Sequence, residues 1–267
     1  MLFVPSPQVA AAQQALKEFE ASALSRAPVH ARANEGVGRD AASVTEHADV
    51  GAGLQFDEAE EAVLQASAAS HALAHASDLA EMSSSRARLP VHAHRMAILS
   101  SLQQQVALIC GETGCGKTTQ VPQFILEDAA AHRRLSCTRI LCTQPRRISA
   151  TSVAQRVAGE RCERLGCSIG FSIRLQQQLP RRTGSALFCT TGVVLRLLQA
   201  RDALADVSHL IIDEVHERDV NTDFLLAAVK RLLPQRPNLK LILMSARTPT
   251  SSSCRCIDVM LSHVRHY

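Results

Sequence analysis

One stretch, Val106 to Thr119 (VALICGETGCGKTT), leaves this chain the fewest choices of fold. Val106 to Ile109 form an apolar run of strand length, and the run ends in Gly111-Glu112-Thr113-Gly114-Cys115-Gly116-Lys117-Thr118. That octet fits the phosphate-binding pattern G-x-x-x-x-G-K-[ST] at every fixed position. Gly111, Gly114 and Gly116 let the backbone curl so that successive amides point inward and leave room for phosphate oxygens. Lys117 supplies a point charge for the β- and γ-phosphates, and the Thr118 hydroxyl can hold Mg²⁺. Beyond Thr119, Val121, Phe124, Ile125 and Ala129 recur at helical spacing. A helix there turns its positive end toward the same anion. Pro122 is acceptable only near the first turn of that helix. A Gly-rich turn without a ligand would share the pattern; its place between a strand and an amphipathic helix favours the phosphate reading.

The same strand–helix alternation continues downstream. Strand-like runs fall at Val106–Cys110, Arg139–Thr143, Ala186–Thr190, His209–Ile212 and Leu239–Met244, with helical patterns near 118–130, 149–165, 191–200 and 222–233. Gly166 and Pro234 read as helix stops. Short, nearly all-apolar strands alternating with helices predict an α/β fold, a mostly parallel sheet covered on both faces. Such sheets bind ligands at the carboxyl ends of their strands, where the polar clusters of this chain fall. Upstream, residues 1–53 show no sustained period and are expected to be mobile. Residues 54–82 favour helix, and Ser83-Ser84-Ser85 reads as a linker. The expected organisation is an Ala-rich, partly disordered or helical arm over 1–88, the α/β domain over 89–246 and a tail over 247–267.

Composition narrows the function. With no Trp, one Tyr and seven Phe, a binding surface built on stacked aromatics is not expected. No apolar run reaches membrane-spanning length, and the start MLFVPSPQ lacks a secretory pattern. Arg26, Arg32 and Arg39 leave a mitochondrial presequence as an alternative, against which Glu18 and Glu20 argue. Nine scattered cysteines, without metal-ligand spacing, indicate a reduced, intracellular chain, cytoplasmic or nuclear. Cys110, Cys142 and Cys189 sit in strand-like runs as small buried hydrophobes. Residues 1–88 carry 6 Lys/Arg against 12 Asp/Glu, while residues 89–267 carry 23 against 13. The basic second part suits a polyanionic partner.

After the run His209 to Ile212 comes Asp213-Glu214-Val215-His216-Glu217-Arg218. Alone, an acidic pair at a strand end is most often a solvated turn. Beside a phosphate loop in the same sheet, Asp213 can hold Mg²⁺ through water, and Glu214 can orient and deprotonate an attacking water.

These segments resemble the DEAH-box (DExH) family of superfamily 2 helicases, in its first RecA-like lobe. GETGCGKT is similar to that family's motif I, and Asp213-Glu214-Val215-His216 to motif II. Thr143-Gln144-Pro145-Arg146-Arg147 resembles motif Ia, Thr190-Thr191-Gly192 motif Ib, and Met244-Ser245-Ala246 the start of motif III. DEVHERDVNTDFLL is especially similar to the RNA helicase A-like branch. The resemblance implies ATP and Mg²⁺ as ligands, held by Gly111, Glu112, Thr113, Gly114, Cys115, Gly116, Lys117, Thr118 and Thr119. It implies catalytic roles for Lys117, Asp213 and Glu214, and for His216 as the link to a nucleic-acid groove. Arg156 would stack on adenine. Arg146, Arg147, Thr190 and Thr191 would contact the sugar-phosphate backbone of single-stranded RNA, with DNA as an alternative. Without the family pattern, Arg146 and Arg147 would read as a solvated turn, Arg156 as an exposed helix residue and His216 as a loop histidine. An unrelated phosphate-loop ATPase or kinase leaves the PRR and TTG clusters unexplained.

The pattern stops at residue 247, where Arg247 stands in place of the Thr expected in motif III. The tail that follows matches nothing expected of the family, and no second lobe is encoded in these residues. The expectation is nucleotide binding, feeble hydrolysis and no unwinding by this chain alone; a non-catalytic nucleotide- or RNA-binding module is the alternative.

Overall fold

The computed structural model describes residues 54–200 and 204–246 and the backbone of 257–260. The mobile segment expected over 1–53 lies outside the described residues, as does most of the tail. Eight strands form one sheet: β1 (Val106–Gly111), β2 (Arg139–Gln144), β3 (Ile169–Ile173), β4 (Gln176–Gln178), β5 (Ser185–Thr190), β6 (His209–Ile212), β7 (Lys240–Ser245) and β8 (Ile257–Met260). Their order is β4-β3-β5-β2-β6-β7-β1-β8. The six strands from β3 to β1 are parallel, and β4 and β8 lie antiparallel on the two edges. The mostly parallel, RecA-like sheet expected from the sequence is therefore present.

The helices are α1 (Glu58–Ala74), α2 (Ala76–Ala87), α3 (Arg95–Ser101), α4 (Lys117–Ala131), α5 (Arg147–Glu160), α6 (Thr191–Leu197) and α7 (Val220–Leu232). Alternation along each strand splits the core into two layers. Ile140, Cys142 and Ile211 join α3, α4 and α5 through Ile98, Phe124, Ala154 and Val157. Leu141, Leu210 and Ile212 join α6 and α7 through Val194, Leu225 and Val229 on the other face. Strands buried on both faces read as unbroken apolar runs because helices cover both sides. Cys110, Cys142 and Cys189 are buried, as expected, and burial pushes the Cys142 and Cys189 thiols well up, so both stay protonated.

Several expectations need correction. Strand β4 is three exposed glutamines paired through the backbone, so no hydrophobic pattern marks it. Its neighbour β3, IGFSI, is interrupted by Gly and Ser, and β8 lies in the segment read as an unfamiliar tail. Helix α5 ends at Glu160 rather than near 165. Pro122 is the sixth residue of α4, well inside it. Its ring removes the amide that would reach the Thr118 carbonyl, and the Gln123 side chain bonds the adjacent Thr119 carbonyl at 3.0 Å. Pro122 is buried, so packing compensates the lost hydrogen bond and the helix continues through it.

The serines read as a linker, Ser83 to Ser85, are helical within α2. Contacts made elsewhere decide this. Arg86 at the end of α2 donates to Gln120 and Glu127 of α4, each at 2.7 Å. Helix α1 is tied down too: Asp57 caps it by accepting from the Glu60 amide at 3.0 Å. Buried Glu61 accepts from the Ser136 amide at 2.7 Å and from Gln65 at 2.8 Å. Burial pushes the Glu61 carboxyl up, but these hydrogen bonds outweigh it and hold the pKa below the ordinary range. Leu64 packs on Ala129 and Leu135.

At the amino ends of the strands lies a cavity of about 600 Å³ lined in part by Leu102, Ala129, His209 and Lys240. Burial, with Lys240 and Arg134 adding to it, lowers the His209 pKa from 6.5 to about 4. A depressed histidine binds fewer protons folded than unfolded between those values, so its neutral form contributes stability that is lost as pH falls from 6.5 toward 4. Chemical denaturation at pH 7 and pH 5 should show wild type losing about 2 kcal/mol more than His209→Gln. Equal losses would show that His209 titrates normally.

Candidate functional site

The phosphate loop follows β1, and the acidic turn follows β6, two strands away across β7. Register brings these carboxyl ends level: Cys110 pairs with Ser245, and Ile212 with Leu243. Gly114 and Gly116 take φ of +84° and +98°, the left-handed region that disfavours other residues. A side chain at Gly116 would also meet Leu89 and Val91 at 3.1 Å. The Val91 amide in turn donates to the Cys115 carbonyl at 3.1 Å. The segment before the loop thus braces it from behind.

Lys117 is buried, and its Nζ donates to the carbonyls of Gly111 at 2.6 Å and Glu112 at 3.0 Å. Folded back in this way, the ammonium lies within the loop that its charge would share with a phosphate. Thr118 Oγ1 donates to Asp213 Oδ2 at 2.6 Å, and Gln144 Nε2 reaches the same oxygen at 2.8 Å. Asp213 Oδ1 accepts from the Glu214 amide at 2.9 Å. Burial raises the Asp213 pKa, although the bonds from Thr118, Gln144 and the Glu214 amide and the charge of Lys117 oppose it. A buried carboxylate beside a hydroxyl forms a hard oxygen pair suited to a small divalent cation. Thr118 and Asp213, expected to hold Mg²⁺, are in direct contact.

Glu214 has φ of +55° and Arg218 of +53°, bracketing a single 3₁₀ turn over Val215–Glu217. Non-glycine residues held in that region store backbone strain, which gathers at functional turns. His216 Nδ1 accepts from the Ala246 amide at 3.2 Å and also lies 3.2 Å from Glu214 Oε2. With that lone pair committed to Ala246, the buried Glu214 Oε2 has no hydrogen-bond donor among the described residues. Burial, then the neighbouring Asp213 charge, raise the Glu214 pKa. An undonated, elevated carboxylate is what a general base requires. His216 also ties the acidic turn to the end of β7 through Ala246.

A second cluster lies at the carboxyl ends of β2 and β5. A groove of about 230 Å³ gathers Arg147, Thr190 and Thr191 with Arg174, Arg196 and Asn221. Arg146 stands apart, exposed, its guanidinium 3.7 Å from Glu217. Arg174 and Arg196 were missed in the sequence: Arg174 adjoins the unpredicted hairpin β3–β4, and Arg196 is an ordinary helix residue by pattern. Gln144 was missed as well, its only signal being an amide at a strand end. Arg156 is largely exposed on α5, and its Nε donates to Glu160 at 2.7 Å.

Residues 92–255 match the DEAD/DEAH box helicase family model. The chain belongs to that family. Among family members it is similar to the ATP-dependent DNA/RNA helicase DHX36 of Bos taurus, 52% identical over 169 residues that cover 62% of this chain and 17% of that protein. It is also similar to the DExH-box ATP-dependent RNA helicase DExH3 of Arabidopsis thaliana, 52% identical over 162 residues, 60% of this chain and 14% of that protein. For the ATP-dependent RNA helicase DHX30 of Rattus norvegicus the figures are 52% over 160 residues, 60% and 13%. The match spans about one-sixth of the length of these relatives, or less. The DExH resemblance carried by the motifs is thereby borne out.

Proposed function

We propose that this chain is the nucleotide-binding first motor lobe of a DEAH-box RNA helicase, coupling ATP hydrolysis to movement along nucleic acid in a complete enzyme. One observation carries the reading: Thr118 of the phosphate loop and Asp213 of the acidic turn, 95 residues apart, meet at 2.6 Å. Mg²⁺, when bound, would offset triphosphate charge, with Thr118 and Asp213 as the residues that hold it. Loop amides and Lys117 grip the phosphates. Glu214 takes a proton from the attacking water, and His216 carries the state of that turn to β7. Arginines supplied from a second lobe accelerate such reactions by about 10³–10⁵. We therefore expect slow turnover and no unwinding from these 267 residues alone.

The relatives are named as RNA or DNA/RNA helicases, which supports a nucleic-acid ligand, and we propose single-stranded RNA, with DNA as the alternative. No helix among the described residues is long and apolar enough to cross a membrane. Arg147, Arg174 and Arg196 line the groove, so about three phosphates are neutralised. Binding of a single-stranded RNA oligomer, measured over a salt series, should give a log–log slope of about −2. Removing Arg196 as Arg196→Ala should flatten it by about 0.7. A slope near zero would place the nucleic-acid path elsewhere.

A further inference from the structure

A chain of polar contacts runs from α2 to the exposed guanidinium of Arg156, passing the end of the phosphate loop at the Thr119 hydroxyl. Arg86 Nε donates to Gln120 Oε1 at 2.7 Å, while its terminal nitrogen donates to Glu127 at 2.7 Å. Gln120, fully buried, donates from Nε2 to Glu160 Oε2 at 2.8 Å and to Thr119 Oγ1 at 2.8 Å. Gln123 Nε2 reaches the same Glu160 oxygen at 2.8 Å. The other oxygen, Glu160 Oε1, receives Arg156 Nε at 2.7 Å. Burial raises the Glu160 pKa, but the bonds from Arg156, Gln120 and Gln123 outweigh it and keep the carboxylate ionised.

The donor inventory gives this chain a direction. Arginine only donates, and an ionised carboxylate only accepts. An amide caught between the two has one satisfied orientation: oxygen toward Arg86, nitrogen toward Glu160. Without Arg86, the Gln120 oxygen is buried with no donor, and the amide shifts off the Glu160 carboxylate to recover one. That shift loosens the acceptor that fixes Arg156. A long exposed side chain stacks well only if its plane is already set, since ordering it on binding costs rotamer freedom.

We propose that Arg86 is a positioning residue for the base end of the nucleotide site, acting through Gln120 and Glu160 to hold the Arg156 guanidinium in place to stack on the purine. This rests on the reading that Arg156 faces the base. It makes α2, which lies before every helicase motif in the chain, part of the nucleotide site.

The test compares two ligands in the presence of Mg²⁺, ATP and inorganic tripolyphosphate, which share the phosphate grip and differ in the base. Titration calorimetry on the whole chain should show Arg156→Ala and Arg86→Met each weakening ATP about three- to tenfold, with tripolyphosphate affinity unchanged. Arg86→Met keeps the apolar stem, so packing is largely preserved. Gln120→Met breaks the same chain one residue further on and decides the matter if Arg86→Met unfolds. A general loosening would weaken both ligands alike. If Arg156→Ala is selective for ATP but the Arg86 and Gln120 variants are not, the positioning role is overturned. If Arg156→Ala itself shows no selectivity, the base-facing reading fails and the proposal with it.

Discussion

Glu214→Gln should slow ATP hydrolysis by about 10²–10⁴ while leaving ATP affinity within a factor of about three. The change keeps shape and removes the capacity to accept a proton. Glu214 Oε2 is buried without a donor among the described residues, and the Glu214 pKa is raised by burial and by Asp213. Such a carboxylate can take a proton, whereas the amide oxygen in its place accepts a hydrogen bond but is far too weak a base to take one. Single-turnover assays, with protein in excess over labelled ATP, reach rates too slow for steady-state methods. A rate unaltered by the substitution would mean that Glu214 takes no part in the chemistry and would favour a non-catalytic binding module.

Lys117→Ala should abolish most nucleotide affinity. An ammonium donating to phosphate oxygens is worth about 2–4 kcal/mol in charge-assisted hydrogen bonds, or roughly 30- to 1,000-fold in Kd. The lower end of that range applies if binding only exchanges partners, because Nζ already donates to the Gly111 and Glu112 carbonyls in the free chain. The loss should appear with tripolyphosphate as well as ATP, unlike the selective loss expected at Arg156. Thermal denaturation controls for folding: among the described residues Lys117 hydrogen-bonds to loop backbone and the Cys115 thiol, so the sheet should melt nearly as before.

Five strands are legible in the amino-acid sequence as apolar runs, because strands covered on both faces carry uninterrupted Ile, Leu, Val and Cys. Strand β4 is invisible there for the opposite reason: Gln176 to Gln178 are exposed and pair with β3 through the backbone. Ser83 to Ser85 read as a linker because local propensity favours turns, yet Arg86 anchors α2 to α4 across the fold. Pro122 shows the same override, a helix breaker kept helical by burial. At the candidate site, Lys117, Thr118, Asp213 and Glu214 are legible because the phosphate-loop pattern and an acidic pair after an apolar run restrict residue type at fixed spacing. Gln144, Arg174 and Arg196 are not, since an amide or an arginine gains its role only from neighbours that the sheet order supplies. Arg146 and Arg147 adjoin in sequence but part company in space, one facing Glu217 and the other lining the groove.

The phosphate loop and the acidic turn are proposed to form a single Mg²⁺-triphosphate pocket. Titration of ATP with Mg²⁺ into the wild-type chain and into Lys117→Ala reads that pocket out. Saturable binding to the wild type, lost or weakened at least roughly 30-fold in the variant, is the predicted result. Equal affinity in the two proteins would contradict it.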